Sequence, residues 1–506
     1  VMAILSTVFS DYRQAALSGY PDRSEGLYML LGYGLVFMAS IQLVNTKNQV
    51  HLLFASLWAS SLLMSFLGLM QALGHNPFLT EWGQKLILPA RYHQFIGEFG
   101  SRGGGRDVFL TMGNSNYAGI YMAMVLAVFV PLMLTVQNKR IKSALALSNG
   151  LMVITLIMSG SRAGLVALMM AGIFQIILLR KVIFRDRRAV GVVLVVLVIA
   201  VTASGFLADQ SIVRQLNSIA ADITTSRDPY PTGIKDLSFD ENRMAFIGTE
   251  ETLVVVMTEN TPVYYNENDS PLTFNQVYEE ADDHTLETHR ITTAGYDHYT
   301  ITWTPHELGQ LMAINNGDIV ADFFHREDMF YLIGRQGELL AYEPVPSLGF
   351  KGREHIGSYR GYIWSRTLPL LKDTVVIGHG PDTFAYYFPY YDYLGILQRK
   401  FGANTIVTKP HNFYLQTAVN TGVLSLLALL TLFVMVLGKS FRKYFREGPI
   451  HWKNRAGIAL LSGCTAYLTA GFFNDSVVGT ATVFWVLLGM AAALLFLPDP
   501  EGEDLP

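Results

Sequence analysis

The chain has 506 residues, of which 51% are hydrophobic and 15% charged, with a formal net charge of −4. Charge this sparse, with apolar residues gathered in long blocks, excludes an ordinary soluble domain, and the acidic balance argues against nucleic acid as a partner. The single cysteine, Cys464, excludes a disulfide framework and is expected to serve in packing.

Val1–Leu5 reads as the tail of a span, so helices upstream of it are expected, and no cleavable signal peptide is visible. Apolar runs long enough to cross a bilayer fall at about 26–44, 50–73, 116–136, 143–158, 163–180, 189–208, 411–438, 456–474 and 480–497. The expectation is an α-helical polytopic membrane protein of about nine spans, six of them within residues 1–208 and three within 411–497. Threaded alternately, the spans put Lys47, the Lys139–Lys142 connection, the Arg180–Arg188 connection and the Lys439–Arg455 connection on one side. Positive loops remain cytoplasmic, so 74–115, 159–162, 209–410 and 475–479 face outward. The tail 498–506 is then cytoplasmic and acidic, a minor exception to the charge bias.

The outward insertion opens with a linker, 209–236. From 237 to 349 the pattern turns to short alternating strands: Arg243–Ile247, Thr252–Met257, Pro262–Tyr265, His298–Trp303, Gln310–Asn315, Ile319–Phe324, Phe330–Ile333 and Glu338–Tyr342. Turn signals such as Asn316-Gly317-Asp318 separate them, which predicts an extracytoplasmic all-β domain. Residues 350–410 form an outer loop rich in aromatic and basic side chains, suited to a membrane interface and to stacking on sugar rings.

An ionisable side chain at a membrane boundary costs desolvation energy and is a functional candidate. Arg162, in Ser159-Gly160-Ser161-Arg162-Ala163-Gly164, is either a side chain snorkelling to headgroups or a five-donor fork for pyrophosphate oxygens. Its small neighbours allow close backbone approach. His411, in Pro410-His411-Asn412-Phe413-Tyr414, titrates near working pH and is a candidate general base. Asn412 beside it can hydrogen-bond a ring nitrogen, backbone or substrate. Arg360 and Trp364, with Arg366 ranking below them, lie in the loop that must fold back over the membrane. Gly378-His379-Gly380-Pro381-Asp382 is a glycine turn in which His379 reads as structural. Asn114 and Asn116 stand at a span start whose free N–H groups attract anions, and Arg106 adds positive potential. No Walker motif, dinucleotide fingerprint, zinc signature or acidic metal-binding pair emerges.

In this order the residues resemble the O-antigen ligase family, part of a larger group with Wzy-type polymerases and related bacterial oligosaccharyltransferases. The matching pieces are Gly113-Asn114-Ser115-Asn116, Ser161-Arg162-Ala163-Gly164, Arg360 with Ile363-Trp364, Gly378…Gly380…Phe384, and His411-Asn412 with Gly422. The resemblance covers about 20–497, the β insertion excepted. It implies a GT-C-like helical bundle and an inverting, metal-independent glycosyltransferase without cofactor. The implied donor is a glycan on undecaprenyl pyrophosphate, and the implied acceptor is a glycan or glycolipid, as in lipopolysaccharide and other surface polysaccharide synthesis. The implied location is the bacterial cytoplasmic membrane, with the site facing outward. By resemblance His411 is the base and Arg162 and Arg360 hold pyrophosphate. Arg106, Asn114, Asn116, Arg366, Asn412 and Trp364 are the candidate substrate contacts, and no metal ligand is implied. The β domain is larger than the loop of well-known ligases, which leaves the acceptor open. A polymerase shares the donor chemistry. A glycolipid transporter and a membrane-anchored receptor are the remaining alternatives.

Overall fold

The computed structural model describes residues 1–21, 23–96, 107–185, 230–259, 261–281, 284–307, 309–333, 339–398 and 406–497, with isolated positions between 191 and 221. The run expected as a span at 189–208, the tail 498–506, Arg102 and Arg106 therefore lie outside the described residues, apart from scattered backbone positions in that run. Two short helices, α1 (Met2–Val8) and α2 (Arg13–Ser18), precede α3 (Leu27–Leu43), α4 (Lys47–Ala72), α5 (Glu81–Ile87), α6 (Ser115–Thr135), α7 (Lys139–Met158), α8 (Arg162–Leu178) and α9 (Arg180–Arg185). Met2–Leu5, within the stretch expected as the tail of a span, lie in α1, with Val1 as its N-cap.

Among the described residues, α4, α6, α7 and two later helices, α14 (Val423–Glu447) and α16 (Val478–Phe496), are long and apolar enough to cross a membrane. The seventeen-residue α3 and α8 are apolar but shorter. Helix α6 is apolar all round and buried without a break from Tyr117 to Phe129, as a helix at the centre of a bundle must be. It packs against α7, α8 and α15 (Trp452–Ala470), which carries the buried Cys464. The outer helices turn large apolar side chains outward, with Leu35, Leu63 and Val434 each more than 70% exposed. Water would not tolerate so extensive an apolar surface. The chain is a multi-pass membrane protein.

Lipid tails are as apolar as leucine, so helix association here depends on close packing. A Cβ on Gly119 of α6 would fall 2.1 Å from the Ser161 Cβ, and one on Gly164 of α8 would fall 2.7 Å from the Gly119 carbonyl oxygen. Glycine at both positions lets α6 and α8 touch through their backbones, which fixes where Arg162 emerges.

The apolar run at 411–438 is not one span. It is two helices, α13 (Phe413–Thr421) and α14, broken at Gly422, whose φ is +102°. The break frees backbone groups that a bilayer cannot satisfy. The segment 374–380 satisfies them: His379 and Gly380 N–H donate to the Val419 and Asn420 carbonyls at 3.0 and 2.9 Å, and Val423 and Leu424 N–H donate to Thr374 and Val375 at 2.9 and 3.1 Å. The Gly378 turn thereby becomes a splint for a broken helix. His379 stacks on Tyr387 at 3.7 Å, in the structural role expected of it.

The described residues of the insertion fold as eleven antiparallel strands. They are β1 (Ile234–Asp240), β2 (Arg243–Gly248), β3 (Thr252–Thr258), β4 (Thr261–Tyr265), β5 (Phe274–Ala281), β6 (His284–Ile291), β7 (Thr300–His306), β8 (Gly309–Asn315), β9 (Val320–Arg326), β10 (Met329–Ile333) and β11 (Leu339–Leu340). Strands β1–β4 form one meander and β5–β11 another. Met244, Phe246 and Val255 of the first sheet share a core with Ile301, Trp303 and Phe323 of the second. Expected strands at 243–247, 252–257, 262–265, 310–315, 319–324 and 330–333 appear with small shifts. The one expected at His298 begins at Thr300, and of the described residues 339–342 only Leu339–Leu340 are strand. Strands β1, β5 and β6 were not anticipated.

Among the described residues, four α-helices lie between the sheets and the last spans: α10 (Ile356–Thr367), α11 (Phe384–Tyr387), α12 (Tyr393–Gln398) and then α13.

Candidate functional site

Arg162 opens α8. Gly160 turns the chain at φ +67°, and Ser161 caps the helix by accepting the Gly164 N–H at 3.1 Å while donating to the Asn116 carbonyl at 3.3 Å. The guanidinium reaches across the outer loop, where Nη2 donates to Ser358 Oγ at 2.7 Å.

Ser358 lies in an unusual stretch. Gly357, Ser358 and Tyr359 all take left-handed dihedrals, with φ of 65°, 59° and 66°, so the regular turns of α10 begin at Arg360. Two of these residues are not glycine, and each left-handed non-glycine residue costs roughly 1–2 kcal/mol. Such strain persists only where the surroundings over-determine it, and it clusters at functional sites. Its effect here is to aim Arg360 at the turn between α15 and α16. Arg360 Nε donates to the Phe473 carbonyl at 2.6 Å, Nη1 to Gly357 at 2.6 Å, and Nη2 sits 3.4 Å from Asn474 Oδ1.

His411 also holds a positive φ, +50°. Both its neighbours are clamped. The Pro410 carbonyl accepts from the Trp364 indole at 2.8 Å, and Asn412 caps α13 through the Tyr414 and Leu415 N–H groups while its Nδ2 donates to Phe472. His411 Nδ1 lies 2.9 Å from Asp475 Oδ1. A carboxylate there makes Nδ1 the protonated nitrogen and leaves Nε2 with its lone pair. The Asp475 side chain is fully buried, while the imidazole keeps 35% exposure. Asp475 Oδ2 accepts from Tyr117 OH at 2.8 Å and from Arg23 Nη1. Burial first, then the charges of Arg360, Arg23 and Lys409, holds the imidazole well below its ordinary pKa. The ring is therefore a neutral acceptor.

Behind His411 lies a buried ionic knot. Lys409 Nζ is 3.3 Å from Glu25 and 3.4 Å from Asp382, all three side chains at most 2% exposed. Glu25 accepts from Tyr33 OH at 2.6 Å and Ser476 Oγ at 2.8 Å, and Asp382 accepts the Tyr20 and Glu25 N–H groups at 2.8 and 3.1 Å. Removing one member of so buried a set costs about 3–5 kcal/mol. The knot thus locks the N-terminal segment, the 378–382 turn, the His411 segment and the start of α16 to one another.

The structure brings Arg162, Arg360 and His411 to one end of the bundle through a continuous chain of contacts: Arg162 to Ser358, then Arg360 to Asn474, then Asp475 to His411. Asn114 caps α6 by accepting the Asn116 N–H at 2.8 Å, one turn from Tyr117. Trp364 and Asn412 hold the His411 segment in place. Arg366 faces elsewhere: its Nε pairs with Asp392 at 2.8 Å and its guanidinium covers Tyr362. Sequence reasoning missed Asp475, Arg23, Tyr117, Lys409 and Glu25. Asp475 offered the same signal as Arg162, a charge in a short turn between two apolar runs.

Residues 310–430 match the O-antigen ligase family model. The matched segment runs from β8 into α14 and includes Arg360, Trp364, the Gly378 turn, Lys409 and His411. Arg162 and Asp475 lie outside it and reach it only through the fold. Neither a curated protein nor a solved structure matches the chain. The match supports a glycan-handling role of the ligase or polymerase type. Among the described residues, no group of three or more His, Cys, Asp or Glu is arranged to hold a metal ion.

Proposed function

We propose that this protein transfers a glycan from undecaprenyl pyrophosphate to an acceptor hydroxyl at the outer face of the bacterial cytoplasmic membrane. The observation that carries this reading is the His411–Asp475 pair beside Arg360, with Arg162 reaching the same loop through Ser358. His411 Nε2 takes the proton as the acceptor oxygen attacks the anomeric carbon, and pyrophosphate leaves from the opposite side, which inverts the centre. Asp475 steadies the imidazolium that forms, as an orienting carboxylate does in other base-catalysed transfers. Arg360 and Arg162 meet the negative charge growing on the leaving group, and a water-poor cleft strengthens that attraction. Two guanidiniums supply positive charge without a metal. Outward placement of this end is supported by the basic connections at 139–142, 180–181 and 439–446, which sit at the other end of the helices.

The test is transfer from an undecaprenyl-pyrophosphate oligosaccharide by the purified protein and by His411→Ala. The expected result is a loss of roughly 10²–10⁴-fold. Full activity in a correctly inserted His411→Ala protein removes the base assignment. The product separates ligase from polymerase: a lengthened lipid-linked chain marks a polymerase, and a new conjugate marks a ligase.

A further inference from the structure

A cavity of about 820 Å³ lies at the end of the bundle away from His411. Helix α6 measures the separation. Its first turn meets the Arg162 turn, its last residues line the cavity, and its 21 residues span about 30 Å, one hydrocarbon thickness. The cavity is of the size that holds organic ligands.

Its lining has two characters. Phe54, Phe129, Leu132 and Leu145 make an apolar interior. Lys47, His51 and Arg455 supply cationic or proton-accepting nitrogen at the mouth, with no Asp or Glu among the lining residues. Arg455 is fixed by its own loop, donating to the Pro449 and Ile450 carbonyls at 3.1 and 3.2 Å. His51 meets the Trp452 ring edge-on at 6.4 Å at the mouth, where aromatic rings favour the headgroup boundary. Trp58, about three turns into α4, donates its indole N–H to Ser148 at 2.9 Å in the interior. The N-termini of α4, α7 and α15 converge on the same mouth and add their partial positive charge.

We infer that this cavity binds one anionic glycerophospholipid, its phosphate against Lys47 and Arg455 and an acyl chain among the apolar side chains of α4, α6 and α7. An anionic occupant fits, because the described lining residues at the mouth include Lys47 and Arg455 and no Asp or Glu. It must carry an apolar tail, because most of the wall offers no hydrogen bond. Basic pockets between membrane helices recognise lipid headgroups on these terms. A lipid seated there touches both α4 and α15 and so ties them together at this end. The site is separate from the His411 chemistry, so its test reads lipid retention and not transfer.

The experiment is native mass spectrometry of the whole, delipidated protein titrated with phosphatidylglycerol or with phosphatidylcholine of the same chains, and with inorganic phosphate alone. Phosphatidylglycerol is expected to bind at least about tenfold more tightly than phosphatidylcholine, with one lipid retained per chain. The Lys47→Gln/Arg455→Gln double variant is expected to abolish that preference. Ala55→Trp, at an exposed lining position, leaves the cations in place and fills the interior, and is expected to lower occupancy of both lipids. Equal retention of the two lipids by the unaltered protein overturns the inference, as does a preference that survives in both variants. Competition by phosphate alone at the same concentration as the lipid also overturns it, because the site would then take a free anion.

Discussion

Asp475 is the residue whose loss separates orientation from presence at the candidate site. Asp475→Asn keeps the shape and removes the charge that steadies the His411 imidazolium. Its amide can also donate to Nδ1, which favours the wrong tautomer. Transfer by Asp475→Asn is expected to fall on the order of 10²–10⁴-fold with little change in donor KM, measured as initial rates in detergent. The lowered pKa of His411 gives a second expectation. A base is in its accepting form at every pH above its pKa, and burial with three nearby cations carries that pKa downward. Transfer should therefore run flat from about pH 8 to pH 6 instead of bending in the ordinary histidine range. An inflection near 6.5 that vanishes in His411→Ala would show the ring to be unshifted. The same shift acts on folding. As pH falls below the unfolded value, the unfolded chain takes a proton that the folded site refuses, so stability declines with acid. At this scale the sequence was readable where a charge interrupts apolar residues, because desolvation makes such a charge expensive. That rule singled out Arg162 and His411. It applied equally to Asp475 and Lys409, which were passed over because their partners, Arg23 and Glu25, lie more than 380 residues away in the chain and nothing local announces the pairing.

Hydropathy located most of the helical runs and could not divide them. The run from His411 to Gly438 is mostly apolar, and the sign of the break is confined to Asn420-Thr421-Gly422. A Cβ there would sit 2.4 Å from the Val376 carbonyl oxygen, at a φ that side chains avoid. Gly422→Ala is expected to destabilise the protein by at least about 1–3 kcal/mol from backbone strain alone. The steric clash should displace the 374–380 splint and the turn that holds Asp382. Thermal unfolding in detergent measures the first effect, and hydrogen exchange at His379 and Gly380 N–H measures the second. Unchanged protection of those amides in Gly422→Ala would mean that the splint does not depend on the break. Strand reading failed for a related reason. Strands β5 and β6 carry polar residues on both faces, as in Gln276-Val277-Tyr278-Glu279 and Thr288-His289-Arg290, so the alternation that marks a half-buried strand is missing. Their register comes from pairing with each other and, for β6, with β7.

The sheets and the membrane helices meet through the outer loop, and one helix carries the connection. Arg360 at the head of α10 faces the candidate site, Trp364 one turn on holds the Pro410 carbonyl, and Arg366 near its end pairs with Asp392. Asp392 also accepts the Gly395 N–H at 2.9 Å and so starts α12. That helix enters the β core: Tyr393 OH donates to the Asp322 carbonyl at 2.7 Å and accepts the Asp322 N–H at 2.8 Å, while Gln398 donates to Lys235 at 3.0 Å. The Arg366–Asp392 pair is nearly buried, with side chains 11% and 7% exposed, so breaking it from one side leaves an unpaired charge at a cost of about 3–5 kcal/mol. In Asp392→Asn the sheets should keep their fold, because the fully buried residues of their core all lie between Ile234 and Leu332, yet lose their fixed attachment to α10. Hydrogen exchange should then rise in 360–367 and 393–398 while staying unchanged within β7–β9. Displacement of a positioning helix by about 1 Å can cost up to about 10²-fold in rate, so transfer should fall although no group at the candidate site has been altered. Arg366→Lys, which retains charge but not the planar fork, should fall between the two. If Asp392→Asn transfers at the full rate with α10 protected as before, the β region is a passenger on the outer loop, and the aim of Arg360 depends on the membrane helices alone.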